Sequence, residues 1–279
     1  MSKIKTNPVA PVIKWVGGKR QLLEAIRQYV PPQYNTYYEP FVGGGAVLFA
    51  LQPGKAVVND INEELINLYR VIKDDVAALI TDLEKHQNNA AYFYQIRELD
   101  RDKQKYHSLT AVEKASRLIY LNKTCYNGLF RVNRAGEFNT PFGSYKNPKI
   151  VNAVALKAVS AYFNRSDIML YNKDFETVLQ TARKGDFVYL DPPYDPVSDT
   201  ANFTGYDRGG FDRREQRRLK QVCDDLTQRE VQFLLSNSAT PLIKELYRDY
   251  RMVIIQAKRA INSDPDKRGA IDEVLVRNF

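Results

Sequence analysis

Asp191-Pro192-Pro193-Tyr194 constrains this chain more than any other stretch. It follows Asp186-Phe187-Val188-Tyr189-Leu190, an apolar run with the length and side-chain character of a buried strand. Two consecutive prolines can neither continue a sheet ladder nor enter a helix interior, so the chain leaves the strand in a stiff, extended turn. An acid, two rigid residues and an aromatic ring then stand at the carboxyl end of a central strand, where open α/β sheets bind ligands. An isolated Asp-Pro-Pro is as often a loop with a solvated acid, so its company elsewhere in the chain decides.

That company begins at Tyr37-Tyr38-Glu39-Pro40-Phe41-Val42-Gly43-Gly44-Gly45, which reads as a strand and a glycine turn, followed by a helix from Ala46 to Leu51. A glycine-rich turn between strand and helix is the nucleotide-cofactor signature of doubly wound folds. A dinucleotide fingerprint would want a further glycine at position 48, where Leu48 stands, which disfavours a Rossmann oxidoreductase. A nucleoside cofactor without phosphate at this turn fits better. Lys55 to Asp60 supplies the next strand, with Asp60 at its end, where an acid can take both ribose hydroxyls. Phe41, Gly43 and Gly45 of the turn are placed in the expected cofactor pocket with Asp60. Asp174 and Phe175, just beyond a strand at 167–172, join them. Near the start, Lys14-Trp15-Val16-Gly17-Gly18-Lys19 precedes an amphipathic helix over 20–29, and its paired glycines let the backbone approach a ligand closely.

Between the second strand and residue 167 the pattern is helical, over 61–85, 91–104 and 110–124. We expect 62–155 to be a mostly helical domain inserted into a catalytic domain formed by 1–61 and 156–279. Its end differs: residues around Phe130 to Phe138, with Arg134-Ala135-Gly136 at the bend, suggest a β-hairpin. From Thr110 to Ile150 there are seven Lys or Arg and two Asp or Glu, interleaved with Tyr120, Tyr126, Phe130, Phe138, Phe142 and Tyr145. Base and exposed-looking aromatic together suit a nucleic-acid surface. Arg131, Asn127 and Asn133 are side-chain types that read base edges. The net charge of +8 agrees in sign. Strands at 232–237, 252–255 and 273–277 complete seven; the last two, joined by a loop at 262–269, are expected to be antiparallel.

The totals exclude other chemistries. Two cysteines far apart, Cys125 and Cys223, imply no disulfide framework, and with only His86 and His107, both expected at the surface, no Cys/His zinc site or Ser-His-Asp triad is expected. No metal is expected. With no long apolar segment and no signal peptide, the chain is expected to be soluble, cytoplasmic and without a membrane partner.

A nucleoside pocket, a downstream Asp-Pro-Pro-Tyr and a basic reader predict methyl transfer from S-adenosylmethionine, leaving S-adenosylhomocysteine, to the exocyclic amine of a base. Such an amine attacks poorly because its lone pair is delocalised into the ring. The Asp191 carboxylate and the Pro192 carbonyl can accept its two N–H bonds and localise the lone pair, held without reorganisation by Pro192 and Pro193. Tyr194 offers a face for stacking. In duplex DNA the base must be flipped out, at about a few kcal/mol, and Tyr126 could fill the vacated stack.

The joint order of these motifs resembles the DNA adenine methylase family of bacterial and phage N6-adenine methyltransferases, the D12 class. The matching stretches are Lys14 to Lys19, Glu39 to Gly45, Asn59 to Asn62, Tyr126 to Arg131, Gly136 to Gly143, Asp191 to Tyr194 and Thr200 to Tyr206. The resemblance implies a Rossmann-like seven-stranded methyltransferase fold and methylation of adenine N6 in GATC of double-stranded DNA. By position, Trp15, Lys19, Asp60 and Asp191 match the family's S-adenosylmethionine-binding residues. Lys14 matches a lysine at the site's first base pair, and Arg131 an arginine reading guanine. Tyr126 and Asn127 match residues around the flipped adenine, and Leu129, Pro141 and Tyr145 match further DNA contacts. Ser144 departs from the pattern, standing where a basic residue is common. A monomer encoded by a bacterium or phage and associated with the nucleoid is expected. An RNA or protein-amide N-methyltransferase is the nearest rival, but leaves the Arg131 hairpin without a job. A catalytically idle DNA-binding protein would have lost Asp191, Tyr194 or Asp60.

Overall fold

A computed structural model of the chain describes residues 9–197, 210–258 and 270–279. Strands β1 (Tyr37–Glu39), β2 (Lys55–Asn59), β3 (Asp167–Tyr171), β4 (Phe187–Leu190), β5 (Gln232–Ser238), β6 (Arg251–Lys258) and β7 (Ala270–Arg277) form one sheet in the order β3-β2-β1-β4-β5-β7-β6. The first five are mutually parallel, and β7 inserts antiparallel between β5 and β6. All seven expected strands are present, and the final antiparallel pair is as expected. The expected 262–269 loop and the Thr200–Tyr206 motif lie outside the described residues.

Burial on both faces explains why the central strands read as continuous apolar runs. Successive residues point to opposite sides: Tyr37, Ala56, Val58, Phe187 and Tyr189 join one core, whereas Tyr38, Val57, Val188 and Leu190 join the other. The first core is closed by α1 (Leu23–Gln28), α2 (Ala46–Leu51), α3 (Glu63–Asp74) and α8 (Ala153–Arg165). The second is closed by α9 (Phe175–Leu179), α10 (Arg213–Gln228) and α11 (Pro241–Leu246).

Between β2 and β3 the chain makes a long helical detour. After α3 come α4 (Val76–Leu83), α5 (Ala90–Glu98), α6 (Lys103–Ser108) and α7 (Ala111–Thr124). The helical stretches expected from periodicity are real but broken. Asp75 ends α3 and its carboxylate caps α4 through the Ala78 N–H, and Asp102 likewise caps α6 through Lys105. Thr110 and Glu113 form a reciprocal capping box that starts α7. Helix α8 adds a helical stretch beyond the three expected from periodicity. The hairpin near Phe130 exists only in outline: Val132 and Phe138 form an isolated antiparallel bridge, and Cys125 and Phe142 a second. His107 is exposed on α6, but His86 corrects the expectation of a helical surface position. It lies in a turn, stacked 4.3 Å from the Tyr120 ring and bonded to Tyr92 and Ser116, and burial pushes its pKa down to about 4.

One side chain ties three strand ends together. The buried Asn59 at the end of β2 donates to the carbonyls of Pro40, after β1, and Lys173, after β3, at 3.0 and 2.9 Å. Its oxygen accepts the Lys173 N–H at 2.9 Å.

Candidate active site

Asp191 leaves β4 at the carboxyl edge of the sheet. Its side chain is 17% exposed and that of Lys19 7%, with Nζ 2.7 Å from Asp191 Oδ1. Lys19 also donates to the Gly17 carbonyl at 2.7 Å and stands 4.5 Å from the centroid of the Tyr194 ring. On the neighbouring β5, Ser236 Oγ donates to the same Asp191 oxygen at 3.0 Å. With the Ser236 hydrogen so used, Tyr189, 3.0 Å away, is the donor of the pair that backs it. Both partners therefore use Oδ1 and neither uses Oδ2. Burial raises the Asp191 pKa, while Lys19 and Ser236 pull it back.

The turn is braced on three sides. The Pro193 carbonyl accepts from Gln216 Nε2 of α10 at 2.8 Å, and Gln216 Oε1 accepts from Asn237 at 3.0 Å. Asn237 in turn accepts the Asp195 N–H at 3.0 Å. Tyr194 donates its hydroxyl to Glu273 Oε2 of β7 at 2.7 Å. Gln216, Asn237 and Asp195 are buried, and a hydrogen-bonded network anchored in this way rigidifies what it holds.

The glycine turn lies one strand away, after β1. Gly43 and Gly45 have φ of +48° and +71°, values that L side chains avoid. The Gly43 N–H donates to Asp60 Oδ2, and the Asn62 N–H to Oδ1, each at 2.9 Å. These two bonds hold the Asp60 carboxylate beside the glycine turn, and an acid is the group type that suits ribose hydroxyls. Trp15 lies against the turn so closely that a Cβ at Gly43 would be 2.9 Å from its ring. Phe41 packs on Phe175 and Phe211 with centroids 5.2 and 5.7 Å apart, giving the edge an aromatic wall. Asp174 is placed differently from the other acids: it caps α9 and forms a two-pronged pair with Arg218 at 3.0 and 2.7 Å. The glycine turn, the ring of Trp15, the acid at Asp60 and the apolar wall suit a nucleoside-containing cofactor.

Trp15 also stacks on Phe130 at 4.9 Å, which links the glycine turn to the segment expected to meet DNA. Lys14 is exposed, and its backbone N–H and C=O are both bonded to the Asn122 side chain of α7, at 2.8 and 2.7 Å. Asn122 also donates to the Gly128 carbonyl at 3.0 Å. Tyr126 is 57% exposed, with its N–H on the carbonyl of the exposed Pro141. Asn127 is exposed with φ +56°, and Leu129 and Tyr145 are half-buried. Arg131 Nε donates to Asn139 Oδ1 at 2.7 Å. Asn133 spends its side chain locally, accepting from the Ala135 and Glu137 N–H groups and donating to the Glu137 carboxylate. The aromatic content of this segment needs correcting: Tyr120, Phe130 and Phe138 are buried core residues, and Tyr126 is the exposed ring.

Sequence reasoning missed Ser236, Gln216, Asn237 and Glu273, which brace the Asp191 turn, and the buried Glu39. Burial pushes the Glu39 carboxyl up to about 8, against a 2.7 Å bond from Tyr37. Serine and asparagine inside the apolar run 232–238 were the one visible signal.

An edge of this kind, on this strand order, is that of a Rossmann-like methyltransferase. The profile of D12 class N6 adenine-specific DNA methyltransferases matches residues 15–261. The chain is 44% identical to the Type II methyltransferase M1.LlaDCHI of Lactococcus lactis subsp. cremoris, covering 100% of this chain and 98% of that protein. It is 39% identical to the Type II methyltransferase M.MjaIII of Methanocaldococcus jannaschii, over 97% and 99% of the two chains. To the DNA adenine methylase of Escherichia coli K12 it is 35% identical, over 95% and 93%. The chain belongs to the D12 class N6 adenine-specific DNA methyltransferase family, and its substrate is DNA. No helix among the described residues is long and apolar enough to cross a membrane.

Proposed function

We propose that the protein methylates N6 of an adenine flipped out of duplex DNA, within GATC, using S-adenosylmethionine. The observation that carries this reading is the placement of Asp191, whose Lys19 and Ser236 partners both use Oδ1 and spare Oδ2, three residues before the Tyr194 ring. When bound, S-adenosylmethionine supplies an electrophilic methyl carbon whose bond electrons leave with sulfur. Trp15, Phe41, Gly43, Gly45, Asp60 and Phe175 would hold it, and Asp174 would act from the rim through its pair with Arg218.

Asp191 Oδ2 accepts one N6–H and the Pro192 carbonyl the other, so the lone pair points along the line of attack. Tyr194 stacks on the base. After transfer, the proton shed from N6 moves to Asp191 Oδ2, whose raised pKa makes it a better acceptor than a solvated aspartate. The detour over 62–155 is the target-recognition domain, with Tyr126 filling the vacated stack, Arg131 reading guanine, and Lys14, Asn127, Leu129, Pro141 and Tyr145 around them. The family motifs read from the sequence support the GATC target and the donor.

The test is to incubate the protein with methyl-labelled S-adenosylmethionine and duplexes with or without GATC, and to locate the label. Methyl on adenine N6 of GATC is expected. Asp191→Ala should lose transfer while duplex binding remains. Label elsewhere, or none, overturns the reading.

A further inference from the structure

The hairpin that carries Arg131 is held by little backbone pairing of its own. Its internal backbone bonds are few: Asn139 N–H to Arg131 O at 2.9 Å, Asn133 N–H to Glu137 O at 2.8 Å, and the bend bond from Gly136 to Asn133. In this register Val132 and Phe138 face each other as a non-hydrogen-bonded pair, so the N–H and C=O of Phe138 point outward, away from the partner strand. Outward groups on a strand edge ordinarily go to water or to another strand.

Here two consecutive side chains take them. Asp100 Oδ2 accepts the Phe138 N–H at 2.8 Å, and Arg101 Nη2 donates to the Phe138 carbonyl at 2.8 Å. The acid and the guanidinium thus do what a third strand would do, and they are paired to each other. Asp100 is 4% exposed and is anchored from below by Arg117 of α7, itself 2% exposed, with Nη2 2.8 Å from the same Oδ2. Arg117 also donates to the carbonyls of Ile96 and Arg97 at 2.9 and 2.8 Å. The next residue along the pinned strand, Asn139, holds Arg131 Nε at 2.7 Å. With Nε committed, the fork formed by the two Nη groups is the edge that can grip guanine O6 and N7.

We propose that Asp100 and Arg101 are positioning residues for target discrimination. By fixing the Phe138 backbone they set where Asn139 aims Arg131. Neither the Asp100 nor the Arg101 side chain bonds to the Asp191 turn or to the glycine turn, so their first effect is on which sequence is chosen rather than on methyl transfer itself. The inference rests on the proposed reading of Arg131 as a base-reading residue.

The experiment measures kcat/KM on a GATC duplex and on duplexes substituted at each position in turn, for the unaltered protein, Arg101→Met, Arg101→Lys, Arg131→Ala and the double variant. Arg101→Met should cut discrimination at one base pair by about 10-fold, at the same pair affected by Arg131→Ala, and leave the other positions alone. Arg101→Lys, which keeps a donor, should restore part of it. The double variant should lose little beyond Arg131→Ala, as coupled residues do. Binding of S-adenosylhomocysteine, followed through the fluorescence of Trp15, the only tryptophan, should be unchanged. Unaltered discrimination in Arg101→Met, or an equal loss on every duplex, overturns the proposal. Should Arg101→Met not fold, the comparison of Arg101→Lys with the unaltered protein decides by the same ratio. Failure of the underlying reading looks different: Arg131→Ala itself would then leave the choice of sequence untouched.

Discussion

The Lys19 ammonium and the Asp191 carboxylate form a 2.7 Å ion pair, withdrawn from solvent and set beside the face of Tyr194. Burial pushes the Asp191 pKa up and Lys19 opposes it. Replacing Lys19 by Met removes the opposing charge, so the carboxyl should titrate at higher pH. On the proposed mechanism the amine needs the ionised form, and the acid limb of the single-turnover rate profile should therefore move to higher pH in Lys19→Met. A limb at the same pH would show that Lys19 does not hold Asp191 ionised.

Glu39 gives a stability test with the opposite pH sense to a salt-bridged acid. Its carboxyl, ordinarily near 4.5, is raised to about 8 by burial, the Tyr37 bond only partly offsetting this. Between these values the folded protein holds a proton that the unfolded chain has lost. Stability should therefore fall as pH rises through that window. Glu39→Gln, which cannot titrate, should flatten this dependence in urea unfolding near pH 5 and near pH 8. An equal slope in both proteins would place the titration elsewhere.

Gly43 is expected to be intolerant of any side chain. A methyl group there meets Trp15 at 2.9 Å, on a backbone with φ +48°. The left-handed conformation alone costs about 1–2 kcal/mol for an L residue. Gly43→Ala should lower thermal stability by at least that much and change Trp15 emission, because the ring must move. Retention of both would mean that the turn relaxes without disturbing Trp15.

Asn122 is a third kind of target. Its buried amide satisfies three backbone groups, two of Lys14 and one of Gly128. Asn122→Leu strands those groups at a cost of about 1–3 kcal/mol. Because Lys14 and Trp15 are neighbours, affinity for S-adenosylhomocysteine and for duplex should fall together. Loss of one without the other would separate the two functions of this segment.

What could be read from the chain alone was what breaks local rules. Pro192-Pro193 after an apolar run and Gly43 to Gly45 between strand and helix are conspicuous because ordinary elements do not tolerate them. The seven strands were legible because their period and length differ from the helices around them. Facing was not legible. Tyr120, Phe130 and Phe138 have the same composition whether they turn outward or inward, and the structure turns them inward. Nor were the braces from β5 and β7 legible, since Ser236 and Glu273 arrive from strands 45 and 79 residues away in their bonds to Asp191 and Tyr194. The Asp100–Arg117 anchor has no motif at all; it is a buried pair of charges that only packing brings together.

The single amide of Asn59 has a consequence for how such proteins diversify. It fastens the exits of three neighbouring strands to one another from within the sheet, so this part of the edge's shape does not come from the helices of the crossover between β2 and β3. On the proposed division of the chain, the hairpin end of that crossover is the part open to exchange: a reader for a different word could replace it while α3 and α8 still pack on the sheet and Asn59 still fastens the strand exits.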